Sequence, residues 1–289
     1  MMPGDLAVVT GAAGGMGAAV ARRLAAGGWS LVLADACAPQ PPLDYRMPSP
    51  ADLGAVARDC REAGAPTVDT LVADVGDGAV RGKITAVLDG RVPTAAVAVA
   101  GVIAGHDAWN MPDDAFDLLL RVNLYGVRHL ADACVPPMRA AGAGRFVAVS
   151  SAAALRAMPR LAAYSAAKAA ALAYVRALAA DLAGSGVTAN IVCPGSTRGA
   201  MLEASAAVYD LPSQDAFATQ AMLRRLLEPD EVAAAIAWLC SPDAGALTGA
   251  VIPVDGGLSA LFFSGTGPWW LAPSAPYQPS RNAGSRRSV

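Results

Sequence analysis

Charged and aromatic side chains are scarce in this chain of 289 residues. Asp, Glu, Lys and Arg make up 16% of it, Phe, Trp and Tyr 6%, and the formal net charge is −2. Binding of nucleic acid or of an anionic membrane surface usually requires an excess of basic residues. Here the charges are scattered, and the main basic cluster is the pair Arg286 and Arg287. We therefore predict no nucleic-acid partner and no electrostatic membrane binding.

Paired cysteines and long apolar runs are missing as well. The cysteines are odd in number and too far apart for a metal-site pair, so we predict no metal and free thiols in a reducing compartment. The N-terminus lacks a signal-peptide pattern. The only uncharged apolar runs that approach the ~18 residues of a membrane span are Ala-rich stretches of amphipathic helical character. We predict no membrane span and a cytoplasmic location. The cysteines are Cys37, Cys60, Cys134, Cys193 and Cys240.

Apolar residues are plentiful, at 54% of the chain, and they form short runs that alternate with helix-forming segments. The runs predict strands at 6–9, 31–34, 68–73, 95–100, 146–150, 187–192 and 250–254. Helix formers fill residues 18–26, 51–63, 78–88, 115–139, 161–183 and 229–240. This alternation is typical of parallel sheets that are covered by helices. The predicted fold class is α/β, with a Rossmann-type, doubly wound, seven-stranded parallel sheet and helices on both faces.

The alternation predicts a single Rossmann domain over residues 1–264, with two irregular segments inside it. The proline-rich segment 36–50 cannot form a helix or an inner strand and is predicted to be an insertion. Residues 196–226 have mixed signals and are predicted to form a mobile substrate flap with helical parts. Residues 265–289 are rich in Gly, Pro, Ser and Arg and are predicted to be a mostly disordered tail.

A glycine-rich turn follows the first predicted strand. Four glycines lie within residues 11–17, directly before a predicted helix, which is the context of a dinucleotide-binding turn. The helix N-terminus would offer its N–H groups to a pyrophosphate. Asp35 ends the second strand, where a carboxylate binds a ribose 2′-hydroxyl and repels a 2′-phosphate. With Gly rather than a basic residue at position 14, the pattern favours NAD over NADP, and Asp74 is placed to meet the adenine edge.

Tyr164 and Lys168 stand four residues apart in an Ala-rich predicted helix, so they share one face. A nearby ammonium stabilises a phenolate, so we expect Lys168 to lower the pKa of Tyr164 toward neutrality. Such a pair can exchange a proton with an alcohol or a carbonyl. Ser151 follows the fifth predicted strand, at the sheet edge where ligands bind. Asn123 lies inside a predicted helix, where a buried amide is unfavourable unless it is hydrogen-bonded.

Taken together, these motifs resemble the short-chain dehydrogenase/reductase family over residues 5–258. The resemblance implies that Tyr164 is the general acid/base and that Lys168 lowers its pKa and holds the nicotinamide ribose. It implies that Ser151 binds the substrate oxygen and that Asn123 holds a water in a proton relay. It also implies contacts with NAD for Gly11, Gly15, Met16, Gly17, Asp35, Asp74, Val75, Ala100, Gly101, Tyr164, Lys168, Pro194, Gly195 and Thr197.

The sequence departs from the family pattern in two places. The segment after the fourth strand is Ala-Val-Ala-Gly at 98–101, where the family has Asn-Asn-Ala-Gly. The family also often has a Thr five residues after the Pro of Pro194-Gly195. That position is Gly199 here, and Ser196 and Thr197 lie nearby.

The insertion and several local motifs resemble the mycofactocin-associated subgroup of this family. The motifs are Gly-Val-Ile-Ala-Gly at 101–105, Pro-Gly-Ser-Thr-Arg at 194–198 and Ala-Trp-Leu-Cys-Ser at 237–241. The resemblance implies tightly held NAD, an external redox carrier of the mycofactocin type, and a homotetramer that pairs through helices 115–139 and 161–183.

The flap carries Met201, Leu202, Tyr209, Leu211 and Phe217, which favours a hydrophobic secondary alcohol or its ketone as substrate. The same residues would also serve simply to pack the flap onto the domain.

His106 and Trp109 could line the substrate mouth or lie on the surface, and His129 is predicted to lie on a helix surface.

Three alternatives stay open at this point: an enzyme with freely exchanging NAD, a non-catalytic NAD-sensing protein, and a structural subunit of a larger assembly.

Overall fold

The computed structural model describes residues 5–260. Seven parallel strands form one sheet in the order β3-β2-β1-β4-β5-β6-β7, which confirms the predicted fold class. The strands are β1 Leu6–Thr10, β2 Ser30–Asp35, β3 Val68–Val72, β4 Ala95–Ala98, β5 Gly144–Val149, β6 Val187–Pro194 and β7 Val251–Val254. The predicted tail at 265–289 and the end of the predicted domain lie outside the described residues.

Helices cover both faces of the sheet. They are α1 Gly15–Ala26, α2 Pro50–Glu62, α3 Val80–Leu88, α4 Asp113–Leu120, α5 Gly126–Ala141, α6 Ala162–Asp181, α7 Ala200–Val208 and α8 Pro229–Cys240. Helices α1, α2 and α8 pack against one face, and α3, α5 and α6 against the other. Within residues 5–260 no helix is both long and apolar enough to cross a bilayer.

The core explains why the inner strands are continuous apolar runs. Each inner strand is covered on both faces, so successive side chains are buried whichever way they point. All five residues of β1 are buried, and so are all four of β4. Valine and alanine fill these positions, and their small volumes allow the two helical layers to approach the sheet closely.

The predicted helix over 115–139 is interrupted in the structure. A π-helical turn, Arg121–Tyr125, separates α4 from α5 and contains Asn123. A π turn shifts the hydrogen-bond partner by one residue, a change that composition does not reveal. His129, predicted on a helix surface, is instead buried, with its Nδ1 2.8 Å from the Val75 carbonyl oxygen.

The proline-rich segment between β2 and α2 contains bends and turns but no helix or strand, as its prolines predict. It ends at Ser49, which caps α2. The Ser49 hydroxyl accepts a hydrogen bond from the Asp52 amide, and the Asp52 carboxylate accepts one from the Ser49 amide at 2.8 Å. Such a capping box fixes where the helix begins. We call residues 36–50 the strap.

The central strands should dominate stability. Val147 on β5 is fully buried, so we expect Val147→Ala to lower the free energy of unfolding by about 2 kcal/mol through lost burial and a residual cavity. Val92, in the loop before β4, is 45% exposed, and Val92→Ala should cost less than about 0.5 kcal/mol. Urea unfolding of both variants measures the difference, and equal losses would contradict the assigned core.

Candidate active site

The site lies at the carboxyl ends of the strands, where β1 pairs with β2 on one side and β4 on the other. Connections from β1 and β4 leave toward opposite faces, which opens a cleft at this switch point. A cleft of about 400 Å³ runs along this edge, and an adjoining hollow of about 130 Å³ contains Ser151 and Tyr164. The two cavities share Met16, Thr197, Met201 and Leu202 as walls.

The floor of the cleft is the glycine-rich turn. Gly11 has φ +67°, and a Cβ there would lie 2.7 Å from the Ala100 Cα. A Cβ on Gly17 would collide with the Gly11 carbonyl oxygen, and Gly15 has φ +51°. Gly14 caps α1 without a side-chain hydrogen bond. The backbone at the start of α1 is therefore open to a ligand, as binding of a dinucleotide pyrophosphate requires.

Two carboxylates line the adenosine end of the predicted site. Asp35 is buried, and its oxygens accept hydrogen bonds from the Ala13 and Cys37 amides, each at 3.0 Å. Each oxygen keeps a second lone pair for a ribose hydroxyl. The Asp74 carboxylate accepts from the Gly76 amide at 2.8 Å. Asp35, Asp74 and Val75 all line the cleft, so the donor and acceptor set suits a ribose diol and a base.

The altered segment 98–101 is held by the backbone and by Thr10. The Thr10 hydroxyl donates to the Val97 carbonyl at 3.5 Å and accepts from the Ala100 amide at 3.4 Å. Ala98 is buried and adds no polar group. Ala100 and Gly101 line the cleft, as predicted. The side-chain hydrogen bonds between β1 and the loop after β4 therefore come from the Thr10 hydroxyl, where the family pattern would add side-chain amides.

The structure brings together the four predicted catalytic residues. Lys168 Nζ donates to the Val149 carbonyl at 3.0 Å and lies 5.9 Å from the centre of the Tyr164 ring. A Cβ on Gly101 would lie 3.1 Å from that Nζ and 2.9 Å from Asn123 Oδ1. Only a glycine at 101 leaves room for both groups. Ser151 follows β5 and is hydrogen-bonded to Tyr164.

Asn123 is fully buried, and both the oxygen and the nitrogen of its side-chain amide are hydrogen-bonded to Val102. Its Nδ2 donates to the Val102 carbonyl at 2.9 Å, and its Oδ1 accepts from the Val102 amide at 3.2 Å. These bonds satisfy the side-chain amide, which without partners would be unfavourable inside a buried helix. The two bonds leave one N–H and one lone pair of the amide, so the predicted relay water has both the side chain and the main chain of the π turn as possible partners.

Burial dominates the ionisation of the Tyr164 and Lys168 pair. It raises the pKa of Tyr164 to about 12, against a smaller lowering by the Ser151 hydrogen bond. It lowers the pKa of Lys168 to about 8. The expectation that Lys168 brings the Tyr164 pKa toward neutrality is therefore wrong for the protein alone, because removing the phenolate from water raises the pKa and Lys168 is not among the groups that lower it.

The segment after β6 forms the wall shared by the two cavities. Gly195 packs so tightly that a Cβ would lie 2.8 Å from the Asp255 Cα. The Thr197 hydroxyl donates to the Gly195 carbonyl at 3.1 Å. Thr197 lines both cavities, whereas Pro194 and Gly195 line the hollow. Gly199 precedes α7 and donates its amide to Gln214 Oε1 at 2.9 Å.

The hollow is mostly apolar. Tyr209 and Phe217 form an edge-to-face pair with ring centres 5.9 Å apart, and the Tyr209 hydroxyl donates to the Pro159 carbonyl at 2.7 Å. His106 and Trp109 are exposed and are not among the lining residues. Apolar walls are formed by Ile103, Met158, Leu161, Met201, Leu202, Phe217 and Leu258.

Sequence reasoning did not identify the residues through which the strap lines the cleft. Tyr45, Met47 and Pro48 line it, and the Pro48 ring lies 3.6 Å from where a Cβ of Gly14 would be. The available signal was an aromatic residue inside a proline-rich segment. Within residues 5–260 no group of three His, Cys, Asp or Glu is placed to hold a metal ion.

Comparison with known proteins agrees with this geometry. The family model described as "Enoyl-(Acyl carrier protein) reductase" matches residues 11–259. An uncharacterized NAD-dependent oxidoreductase of Mycobacterium tuberculosis is 32% identical over 263 residues, covering 88% of this chain and 95% of that protein. The chain belongs to the short-chain dehydrogenase/reductase family.

Two further members show the range of this family. Galactitol 2-dehydrogenase (L-tagatose-forming) of Cereibacter sphaeroides is 32% identical over 260 residues, covering 89% of this chain and 95% of that protein. The crystal structure of carveol dehydrogenase from Mycobacterium avium in complex with NAD is 27% identical with a TM-score of 0.85. That match covers 90% of this chain and 99% of the other. The prediction of an NAD-dependent oxidoreductase of this family is confirmed.

Burial of Lys168 should make the stability of this dehydrogenase depend on pH. The folded pKa is about 8, against an ordinary value of 10.5 for lysine, so between these values the unfolded chain binds more protons than the folded one. The free energy of unfolding therefore rises with pH between about 8 and 10.5. Below about pH 8 both states bind the proton, and this stabilising contribution of Lys168 is absent. From about pH 7.5 to about 9.5, the wild type should gain about 2 kcal/mol relative to Lys168→Met, measured by urea unfolding.

Lys83 on α3 provides the matched control because its side chain is exposed. The Lys83→Met variant should keep the pH dependence of the wild type. The same dependence in Lys168→Met would show that Lys168 titrates normally.

Proposed function

We propose that this dehydrogenase interconverts an apolar secondary alcohol and its ketone with NAD. The observation that carries the proposal is the position of Ser151 and Tyr164, in an apolar hollow that opens on the cofactor cleft. Apolar walls favour a hydrophobic substrate, and the two hydroxyl groups supply the polar contacts that orient it. Polyols would lose hydration on entering such a hollow without gaining matching hydrogen bonds.

The catalytic roles follow from the geometry. Ser151 and Tyr164 bind the substrate oxygen, and Tyr164 gives a proton to a ketone or takes one from an alcohol. With its pKa raised to about 12, Tyr164 is protonated at neutral pH and is ready to act as the donor. Lys168 and the π turn around Asn123 connect Tyr164 to solvent, so the proton can be replaced. NAD, when bound, accepts or supplies the hydride and brings a positively charged ring in its oxidised form.

The cofactor contacts are proposed from the lining of the two cavities, with Lys168 added from the family resemblance because it lines neither cavity. The turn at 11–17 holds the pyrophosphate, Asp35 the adenosine ribose, and Asp74 with Val75 the adenine. The nicotinamide half would be held by Ala100, Gly101, Tyr164, Lys168, Pro194, Gly195 and Thr197.

We also propose that NAD is held tightly, as in the mycofactocin-associated subgroup, with an external redox carrier for turnover. Support comes from the strap, whose Pro48 lies beside Gly14 and whose Tyr45 is hydrogen-bonded to Ile103. A dinucleotide lying in the cleft would be covered by this segment. Dissociation would then require the strap to open first.

Segment 196–226 is proposed as the substrate flap, because α7 and the turn after it supply much of the hollow's apolar wall. A homotetramer is proposed through the helices α4, α5 and α6. Phe116 on α4 and Tyr125 in the π turn are exposed there, which supports a contact between subunits.

Activity on contrasting alcohols tests the substrate class. With NAD and an artificial electron acceptor, carveol should be oxidised and galactitol should not. Tyr164→Phe should lower kcat/KM for carveol by about 10²- to 10⁴-fold, because the proton donor is lost. Tyr174→Phe, a half-buried tyrosine on the outer part of the same helix, is the matched control and should retain activity. Undiminished activity of Tyr164→Phe would refute the mechanism, and galactitol oxidation the substrate class.

Cofactor retention can be measured on the protein as purified, without added NAD. Denaturation should release about one nicotinamide dinucleotide per chain, quantified by chromatography of the supernatant. A supernatant without dinucleotide would favour the alternative, an enzyme with freely exchanging NAD. Retained NAD without any alcohol or ketone turnover would favour an NAD-sensing protein.

A further inference from the structure

The strap is joined to the substrate hollow by one partly buried hydrogen bond. The Tyr45 hydroxyl accepts from the Ile103 amide at 3.0 Å, and Ile103 is only 6% exposed. The Tyr45 ring packs in the same apolar cluster as Val102, Ile103 and Tyr164. Among residues 5–260 no group accepts the hydrogen of the Tyr45 hydroxyl, so this O–H can still donate into the cleft, which Tyr45 lines.

The segment that Tyr45 holds is a wall of both cavities. Gly101 and Val102 line the cofactor cleft, while the next residue, Ile103, lines the substrate hollow. Asn123, in the π turn, is hydrogen-bonded to both the amide and the carbonyl of Val102. The wall of the substrate hollow begins at Ile103. Its position there is therefore fixed by a hydrogen bond to the strap rather than by the sheet.

We propose that Tyr45 is a positioning residue that couples cofactor binding to the shape of the substrate hollow. A bound cofactor holds the strap down, and the strap then fixes Ile103 through the Tyr45 hydroxyl. Coupling of this kind is reciprocal, so a ligand in the hollow also slows loss of the cofactor. The proposal rests on the proposed function and adds a residue outside the set predicted from sequence.

The test is Tyr45→Phe, which keeps the ring and removes the acceptor of the Ile103 amide. Hydrogen exchange of the peptide containing residues 101–106 is followed in protein freed of its retained dinucleotide, before and after NADH is added. In the wild type NADH should slow this exchange. In Tyr45→Phe with NADH, exchange should be about tenfold faster than in the wild type, the size expected for one orphaned buried amide. NADH should also dissociate about tenfold faster in a stopped-flow chase.

Kinetics with carveol provide the second readout. KM should rise several-fold in Tyr45→Phe, while kcat stays within about twofold because Tyr45 does not touch the reacting atoms in this account. Tyr174→Phe is the matched control for loss of a hydroxyl and should behave as wild type in exchange, NADH release and KM.

Two results would overturn the proposal. Unchanged exchange at 101–106 in Tyr45→Phe would show that the hydroxyl does not fix this segment. Faster NADH release with unchanged exchange and KM would show that the strap holds the cofactor without reaching the hollow. If carveol is not a substrate, the proposed function fails, yet the exchange and NADH release still decide the role of Tyr45.

Discussion

The two hydrogen bonds between the Asn123 amide and the Val102 backbone hold the candidate site together. They tie the loop after β4 to the π turn between α4 and α5, and they fix Gly101 between Asn123 and Lys168. A buried amide without these partners would cost about 1–3 kcal/mol, so the loop and the turn stabilise one another.

Burial decides the chemistry of the catalytic pair more than their mutual charge. Tyr164 and Lys168 are both almost inaccessible to solvent, and each is shifted toward its neutral form. The Tyr164 phenol keeps its proton and can donate it, and the Lys168 ammonium loses a proton easily and can replace the one that Tyr164 gives. Tyr164 is therefore not a phenolate in the protein alone. In the proposed reaction this protonation state suits transfer of a proton to a ketone oxygen, whereas alcohol oxidation would rely on the positive charge of oxidised nicotinamide.

Much of this was predictable because it rests on local patterns. Apolar runs identified all seven strands, and glycines placed between strand and helix located the cleft. The π turn at Arg121–Tyr125 was not predictable, since it depends on a contact between Asn123 and a residue about twenty positions away. The pKa of Tyr164 was assigned in the wrong direction because spacing reveals a neighbour but not burial. The hydrogen bond between Tyr45 and Ile103 was not predicted either. A proline-rich segment has no helical or strand periodicity from which its course could be inferred.

In the proposed reaction, the hydride of an apolar secondary alcohol passes to NAD held in this cleft while Tyr164 takes up the proton. Carveol carrying deuterium on its carbinol carbon tests it most directly, in a single turnover with the protein and one equivalent of NAD. Mass spectrometry of the dinucleotide released by denaturation should find reduced nicotinamide with one deuterium in the wild type and almost none in Tyr164→Phe. Reduced nicotinamide without deuterium, or equal labelling in both proteins, would contradict the account.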